Sequence, residues 1–146
     1  MNGEHPDGFA VTIPVRAYEL DTQQHLNSAV YFQYAEHARW EHLASLGIGL
    51  EDLLATGVGP VFLESTIRWH HEVRSGDTLT VGVAYAWGDE PAKTFRIDQA
   101  FRLPGGVLAA ELTSRCGLLD LTTRRLVSDP RARLAALTVG AIAGRE

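Results

Sequence analysis

Hydrophobic residues follow two different periods along this chain, and the change of period divides the sequence. Between residues 29 and 46 there is no Gly or Pro, and apolar residues recur at helical spacing. Asn27 or Ser28 can cap the start of this helix, and Gly47 can end it. The pattern predicts one long helix, Ser28–Leu46, with a largely buried stripe. The residues of that stripe are Tyr31, Tyr34, Ala35, Ala38 and His42.

Alternating apolar and polar residues cover most of the remaining chain and predict strands. The first predicted strand is Phe9–Leu20, where Pro14 favours an edge position. Four more follow a short second helix at Leu50–Gly57 and are joined by tight turns. These strands are predicted at residues 60–73, 78–88, 94–103 and 107–121. A short C-terminal helix begins at Pro130, with Ser128 or Asp129 as its cap.

The order of these elements predicts an α+β fold in a single domain, residues 1–146, with residues 1–8 as a loose N-terminal end. Consecutive hairpins favour an antiparallel sheet, whose apolar face has to be covered. The long helix is the only predicted element large enough to cover it. We therefore expect a curled antiparallel sheet of about five strands wrapped around one long central helix.

Composition removes several classes of function. The 146 residues carry a net charge of −5, which argues against a general nucleic-acid binder. No apolar run approaches the length needed to span a membrane, and the N-terminus lacks the pattern of a secretory signal. The single cysteine, Cys116, excludes an internal disulfide and fits a cytoplasmic location. It lies in an apolar strand, which predicts a buried, inert thiol.

Three polar residues, Asp21, His25 and Asn27, stand directly before the long helix. They allow three interpretations. Asp21 can make a turn and Asn27 a helix cap, with His25 exposed, which spacing alone favours. They can hold a metal, but no second ligand pair accompanies them, because His70 and His71 are predicted on opposite faces of a strand. Or a carboxylate beside the free N–H groups of a helix start can hydrolyse an activated carbonyl.

The whole pattern D-x-x-x-H-x-N-x-x-x-Y-x-x-Y-x-E-x-A-R, from Asp21 to Arg39, resembles the 4-hydroxybenzoyl-CoA thioesterase-like group of the hotdog superfamily. The stretch "RWHHEVRSGDTLTV" and the hairpin before the terminal helix fit the same group. The resemblance implies a hotdog fold and an acyl thioesterase acting on an acyl-CoA or acyl-carrier-protein thioester. It also implies a homodimer or homotetramer with sites between subunits, and no metal or redox cofactor.

Residue by residue, the resemblance implies that Asp21 is the catalytic carboxylate, as general base or nucleophile. The backbone N–H at Ser28 would polarise the thioester carbonyl. His25 and Asn27 would order the loop or contact the acyl group. Tyr31 aligns with an aromatic residue of the family helix. One departure stands before His25, where the family commonly has Gly and this chain has Gln24.

Other residues have weaker claims. Glu64, predicted on the polar face of its strand, could position water or simply be solvated. Glu36 and Arg39 are predicted to form an ion pair. A further set of aromatic residues is predicted mostly as core, with those nearest the helix start lining an acyl tunnel: Tyr31, Phe32, Tyr34, Phe62 and Trp69. A set of arginines could meet coenzyme phosphates or be solvated: Arg124, Arg125, Arg131 and Arg133.

Two rival functions stay open at this point. Hotdog hydratases also use Asp and His a few residues apart, but they add water to an enoyl thioester and release no thiol. Hotdog domains also serve as non-catalytic acyl-CoA-binding modules, which would bind the thioester without turnover.

Overall fold

The computed structural model describes residues 8–88 and 92–143, so the predicted N-terminal end lies outside the described residues except for Gly8. A one-turn 3-10 helix at Ala17–Glu19 follows the first strand. The strands are β1 Phe9–Pro14, β2 Val58–Trp69, β3 Thr78–Ala86, β4 Thr94–Arg102 and β5 Leu108–Asp120. The helices are α1 Ser28–Ser45, α2 Leu50–Ala55 and α3 Pro130–Ala143.

The five strands form one antiparallel sheet in the order β1-β3-β4-β5-β2. Strands β1 and β2 are therefore its two edges. The predicted hairpin between β2 and β3 is wrong, because β1 takes the place beside β3 and β2 crosses to the far side of β5. The sheet curls around α1, which confirms the predicted α+β hotdog architecture. The helix stripe predicted from sequence is buried at Tyr31, Tyr34, Ala35 and Ala38, and it packs on Val81 and other apolar side chains of the sheet.

Two predicted strands are too long. The first ends at Pro14 instead of Leu20, because after Val15 the chain enters the 3-10 helix at Ala17–Glu19 and leaves the sheet. The second ends at Trp69 instead of residue 73. There the N–H groups of His70 and His71 both donate to the carbonyl of Ala109, which breaks the strand alternation.

A bulge in β2 also changes which residues face α1. The register shifts between Phe62 and Glu64, so that Phe62 pairs with the buried Cys116 and Ser65 with the buried Ser114. Phe62, and not Leu63 as the alternation predicts, therefore shares the α1-facing side with Ile67 and Trp69. The extra residue in the bulge is Leu63.

The aromatic residues beside β2 are not core. Phe32, Phe62 and Trp69 are 43%, 39% and 51% exposed, against the prediction that they are mostly buried. Phe62 and Trp69 lie on β2, whose outer edge is free among the described strands, and Phe32 lies on an exposed side of α1. Cys116, by contrast, is buried as predicted, and burial raises the pKa of its thiol to about 11.

Arg39 and Gln99 connect the helix to the sheet through polar contacts. Nη1 of Arg39 donates to Oε1 of Gln99 at 3.0 Å, and Nε2 of Gln99 donates to the carbonyl of Ala35 at 3.0 Å. The Arg39 guanidinium also lies 4.1 Å from the ring centroid of Phe62. Among the described residues no ion pair joins Arg39 to Glu36, so that prediction is wrong. The carboxylate of Glu36 acts only as a more distant charge.

Candidate active site

Asp21 lies in a tight loop that precedes α1. Its Oδ1 accepts hydrogen bonds from the N–H groups of Gln23, at 2.9 Å, and His25, at 3.1 Å. Its own N–H donates to the carbonyl of His25 at 2.7 Å, and Leu20 and Leu26 form a bridge across the loop base. The carboxylate is thus held by backbone groups. No donor within residues 8–88 or 92–143 reaches Oδ2, which leaves that oxygen open for chemistry.

Gln24 takes the left-handed backbone conformation in this loop, with φ of 67°. Glycine adopts this conformation without steric cost, whereas a residue with a Cβ does not. Its N–H donates to the carbonyl of Asp21 at 3.1 Å, which closes the turn. The position where the resemblance leads us to expect Gly therefore does require a positive φ, and Gln24 supplies it at the expense of backbone strain.

The start of α1 presents one free donor beside this loop. The side chain of Asn27 accepts from the N–H of Ala29 at 2.9 Å, which makes Asn27 the N-cap, as its sequence position allows. The N–H of Val30 donates a hydrogen bond to the carbonyl of Asn27. In the part of the chain that the structure describes, the N–H of Ser28 has no acceptor. It is the orphan donor expected at a helix N-terminus.

His25 is held by a carboxylate that sequence reasoning did not single out. Its Nε2 lies 2.7 Å from Oε2 of Glu72. The other oxygen of Glu72 lies 2.6 Å from Nη2 of Arg74. The adjacent backbone is tied as well, because the N–H of Leu26 donates to the carbonyl of Val73 at 2.7 Å. The chain after β2 therefore fixes the loop before α1.

Four of the predicted residues line one pocket of about 410 Å³, namely Asp21, His25, Ser28 and Tyr31. Asn27 lies between them in sequence and acts on the pocket as the helix cap. The far wall comes from the end of β2 and the residues after it. Its residues are Trp69, His70, His71, Glu72 and Val73.

The wall of this pocket corrects the prediction for the two adjacent histidines. Both His70 and His71 line the pocket, although alternation in a continuous strand would place them on opposite faces. Since the strand ends at Trp69, strand alternation no longer applies to them. Nevertheless, no cluster of three or more His, Cys, Asp or Glu side chains suited to a metal ion occurs among the described residues.

Tyr31 forms the apolar floor of the pocket. Its ring makes edge-to-face contacts with Trp69, at 6.1 Å between centroids, and with Phe101, at 5.2 Å. Burial and the nearby charge of Asp21 raise the pKa of Tyr31 to about 12. Tyr31 is therefore neutral at physiological pH and presents an aromatic surface close to the carboxylate.

Two predicted substrate contacts lie elsewhere. Tyr34 donates its hydroxyl to Glu19 and lines a separate pocket between β1 and α1. Glu64 pairs across the sheet with Arg115 on the side opposite to the buried Ser114, and it does not line the Asp21 pocket. Of the four arginines considered for coenzyme phosphates, Arg131 lies 5.8 Å from the ring of Trp87, also away from this pocket.

The wall residues that sequence reasoning did not assign to the Asp21 site form the consecutive segment "WHHEV", Trp69 to Val73, more than forty residues after Asp21. The available signal was a run of polar residues where strand alternation should have continued. Recognising it would have required knowing that β2 ends early.

Comparison with known proteins identifies relatives of the chain. The model of one protein family, the thioesterase-like superfamily, matches residues 15–137 of the chain. The chain is 34% identical over 94 residues to the chloroplastic acyl-acyl carrier protein thioesterase ATL3 of Arabidopsis thaliana, covering 64% of this chain and 49% of that protein. It is 32% identical over 69 residues to the long-chain acyl-CoA thioesterase FadM of Escherichia coli, covering 47% of this chain and 52% of FadM.

Thus the chain spans about half the length of the curated relatives it matches. Among solved structures, it is similar to YbaW of Escherichia coli, with a TM-score of 0.76 and 25% identity. That alignment covers 88% of this chain and 95% of YbaW. The sheet curled around α1 and the match over residues 15–137 together show that this chain belongs to the thioesterase-like superfamily of hotdog proteins.

Proposed function

We propose that the protein hydrolyses an acyl thioester, carried on coenzyme A or an acyl carrier protein, to a free acid and a thiol. One observation carries this proposal. The unpaired Oδ2 of Asp21 belongs to a residue that lines the same pocket as Ser28, whose N–H is also unpaired. A base or nucleophile beside a carbonyl-polarising donor is the minimum that hydrolysis of an activated carbonyl requires.

The two free groups divide the chemistry between them. The N–H of Ser28, supported by the α1 dipole, stabilises negative charge on the carbonyl oxygen as the tetrahedral intermediate forms. Asp21 either removes a proton from the attacking water or attacks the carbonyl carbon itself and forms an anhydride that water then opens. In both routes the C–S bond breaks, and the thiolate leaves and is protonated.

His25 and Tyr31 complete the pocket in supporting roles. Glu72 holds His25 through Nε2, so the imidazole keeps one orientation beside Asp21. Tyr31 and Trp69 give the acyl group an apolar surface next to the carbonyl. This mechanism assigns no role to Tyr34 or Glu64, since neither lines the pocket within one protomer.

A second copy of the chain would complete the site as a homodimer. Among the described strands β2 pairs with β5 alone, so the backbone groups along the outer edge of this twelve-residue strand are open to another strand. Phe62, Leu63 and Trp69 are exposed along it, which makes this edge a template for pairing. Pairing of β2 with its symmetry mate would cover these side chains and border the pocket at Trp69.

The decisive experiment is an assay of thiol release from a panel of acyl-CoA and acyl-carrier-protein substrates, with wild type and Asp21→Asn. Asn keeps the side-chain oxygen that accepts the two loop N–H groups but cannot act as a base. We expect kcat to fall about 10²- to 10⁴-fold with little change in stability. Equal thiol release by the two proteins would refute the role of Asp21. Conversion of an enoyl-CoA without thiol release would favour hydration.

A further inference from the structure

A second cavity, of about 440 Å³, lies beside the C-terminal half of α1. It is bordered by α1, α2, the start of β2, strands β3 to β5 and α3. Its walls are mainly apolar, and the side chains that matter here are Leu43, Leu53, Phe95, Cys116, Leu118 and Leu134. The Asp21 pocket is similar in size but is lined by two carboxylates and three histidines. The two cavities therefore suit different parts of a ligand.

Two charged residues line the second cavity, Glu36 and Arg39. Arg39 donates to Gln99 and its guanidinium lies against the ring of Phe62, as described above. Glu36 is exposed, and its negative charge disfavours a carboxylate or a phosphate nearby. Cys116, which also lines the cavity, is a neutral thiol because burial raises its pKa. Most of the other lining residues are apolar, which favours a hydrocarbon.

The same helix and the same strand border both cavities. Ser28, Phe32, Glu36 and Trp40 follow one another at four-residue intervals and so lie along one side of α1. Ser28 lines the Asp21 pocket, whereas Glu36 and Trp40 line the second cavity. The exposed ring of Phe32 lies between them.

Strand β2 repeats this arrangement. Trp69 lines the Asp21 pocket and Phe62 lines the second cavity, with Ile67 between them on the same side. The surface between α1 and β2, here called the groove, thus carries Phe32 and Ile67 between the two cavities, with the polar Ser65 beside them. From Ser28 to Glu36 the helix rises about 12 Å.

We propose that the second cavity binds the distal part of a long acyl chain whose thioester carbonyl lies between Asp21 and the start of α1. This inference rests on the proposed thioesterase function and adds the location of the acyl tail. A short acyl group ends within the groove before it reaches Glu36. Only long chains bury their terminal methylenes among Leu43, Leu118 and Leu134.

The test fills the cavity and compares substrates that differ only in chain length. Leu134→Trp, in α3, places a larger side chain at the cavity wall. Leu137→Trp is the matched control, since Leu137 lies in the same helix and packs on the neighbouring core but does not line the cavity. Leu54→Trp, at an exposed cavity residue of α2, is a second filling variant with little risk to folding.

We expect both filling variants to lower kcat/KM for palmitoyl-CoA about tenfold or more, which corresponds to the burial of about two methylene groups. Butyryl-CoA should be hydrolysed as by wild type, and Leu137→Trp should behave as wild type with both substrates. Equal losses on both substrates, or no loss on either, would overturn the proposal while leaving the thioesterase function intact.

A binding measurement separates this inference from the chemistry at Asp21. S-hexadecyl-CoA, a thioether, cannot be hydrolysed, and its affinity can be measured by titration calorimetry even if no substrate is turned over. Leu134→Trp should weaken its binding about tenfold relative to Leu137→Trp. Identical affinities in these two variants would rule out the cavity as the tail site, whatever the outcome of the thiol-release assay.

Discussion

The polar side chains at the two ends of α1 differ in whether they have hydrogen-bond partners. At the N-terminal end, Asp21 accepts two backbone N–H groups and His25 is paired with Glu72. At the C-terminal end, His42 lies between the rings of Phe9 and Tyr85, at 5.1 and 5.2 Å between centroids. Its Nδ1 is buried without a hydrogen-bond partner among the described residues.

This difference shows how an unpaired polar group with a function can be distinguished from one that is merely buried. The loop before α1 holds one oxygen of Asp21 by two backbone N–H groups, while Asp21 and Ser28, which carry the unpaired Oδ2 and N–H, line a pocket. His42 has a buried unsatisfied nitrogen, its ring packs beside two aromatic rings, and it does not line the Asp21 pocket. An unpaired group thus indicates function only where it faces a space that a ligand can enter.

The largest effect is expected when only the free N–H of Ser28 is removed, because this tests whether the N-terminal end of α1 has a catalytic role. Proline at the first helical position keeps the helix and lacks an N–H. Asn27 already has φ of −61° and ψ of 136°, which a following proline requires. We expect Ser28→Pro to lower kcat for thioester hydrolysis about 10²- to 10³-fold, as removal of one oxyanion donor does, with the melting temperature nearly unchanged.

Ser28→Ala serves as the control, because it removes the hydroxyl and keeps the N–H. Its kcat should stay close to that of wild type. If Ser28→Pro folds normally and turns over substrate as fast as Ser28→Ala, the carbonyl is polarised elsewhere and the helix start has no catalytic part.

At His42, by contrast, replacement by an apolar ring should stabilise the protein. Burial lowers the pKa of His42 below its ordinary value of about 6.5. The unfolded chain therefore takes up this proton more readily. The stability of the native protein is complete above about pH 6.5 and is partly lost as the pH falls through the lowered pKa. In His42→Phe this part of the acid destabilisation should disappear, and the free energy of unfolding at neutral pH should rise by about 1 kcal/mol.

Urea unfolding at pH 7.5 and pH 5 measures both effects. His37→Gln, an exposed substitution on the same helix, should retain the acid dependence of wild type. The same loss of stability at pH 5 in His42→Phe as in wild type would show that the orphan imidazole does not titrate with unfolding. Thioester hydrolysis should be unaffected, since His42 does not line the Asp21 pocket.

Much of the fold could be read from the sequence because periodicity is a local property. The stripe of α1 from Tyr31 to Ala38 and the hairpins β3–β4 and β4–β5 were predictable from spacing, whereas the pairing of β2 with β5 instead of β3 was not. The early end of β2 was not, since it depends on a carbonyl of Ala109 from a distant strand. Nor was the bulge at Leu63, which puts Phe62 on the same side of β2 as Ile67 and Trp69.

The residues of the site also differ in whether local sequence or tertiary structure brings them together. The grouping of Asp21, His25 and Ser28 follows from a few consecutive residues, and the sequence places them together. Glu72 reaches His25 only because β2 returns beside the loop, which is tertiary information. Tyr34 illustrates the converse, as its position on the helix predicts a substrate contact while Glu19 holds it on another face.

The smallest expected effect concerns the backbone strain at Gln24, in the loop before α1. The left-handed conformation of a residue with a Cβ costs about 1 to 2 kcal/mol, and glycine removes that cost while adding freedom to the unfolded chain. We expect Gln24→Gly to raise the free energy of unfolding by about 0.5 kcal/mol. Gln24→Ala keeps the Cβ and should stay near wild type in urea unfolding. A less stable Gln24→Gly would mean that the side chain of Gln24 itself stabilises the loop, and the strained turn around Asp21 would then need another source of rigidity.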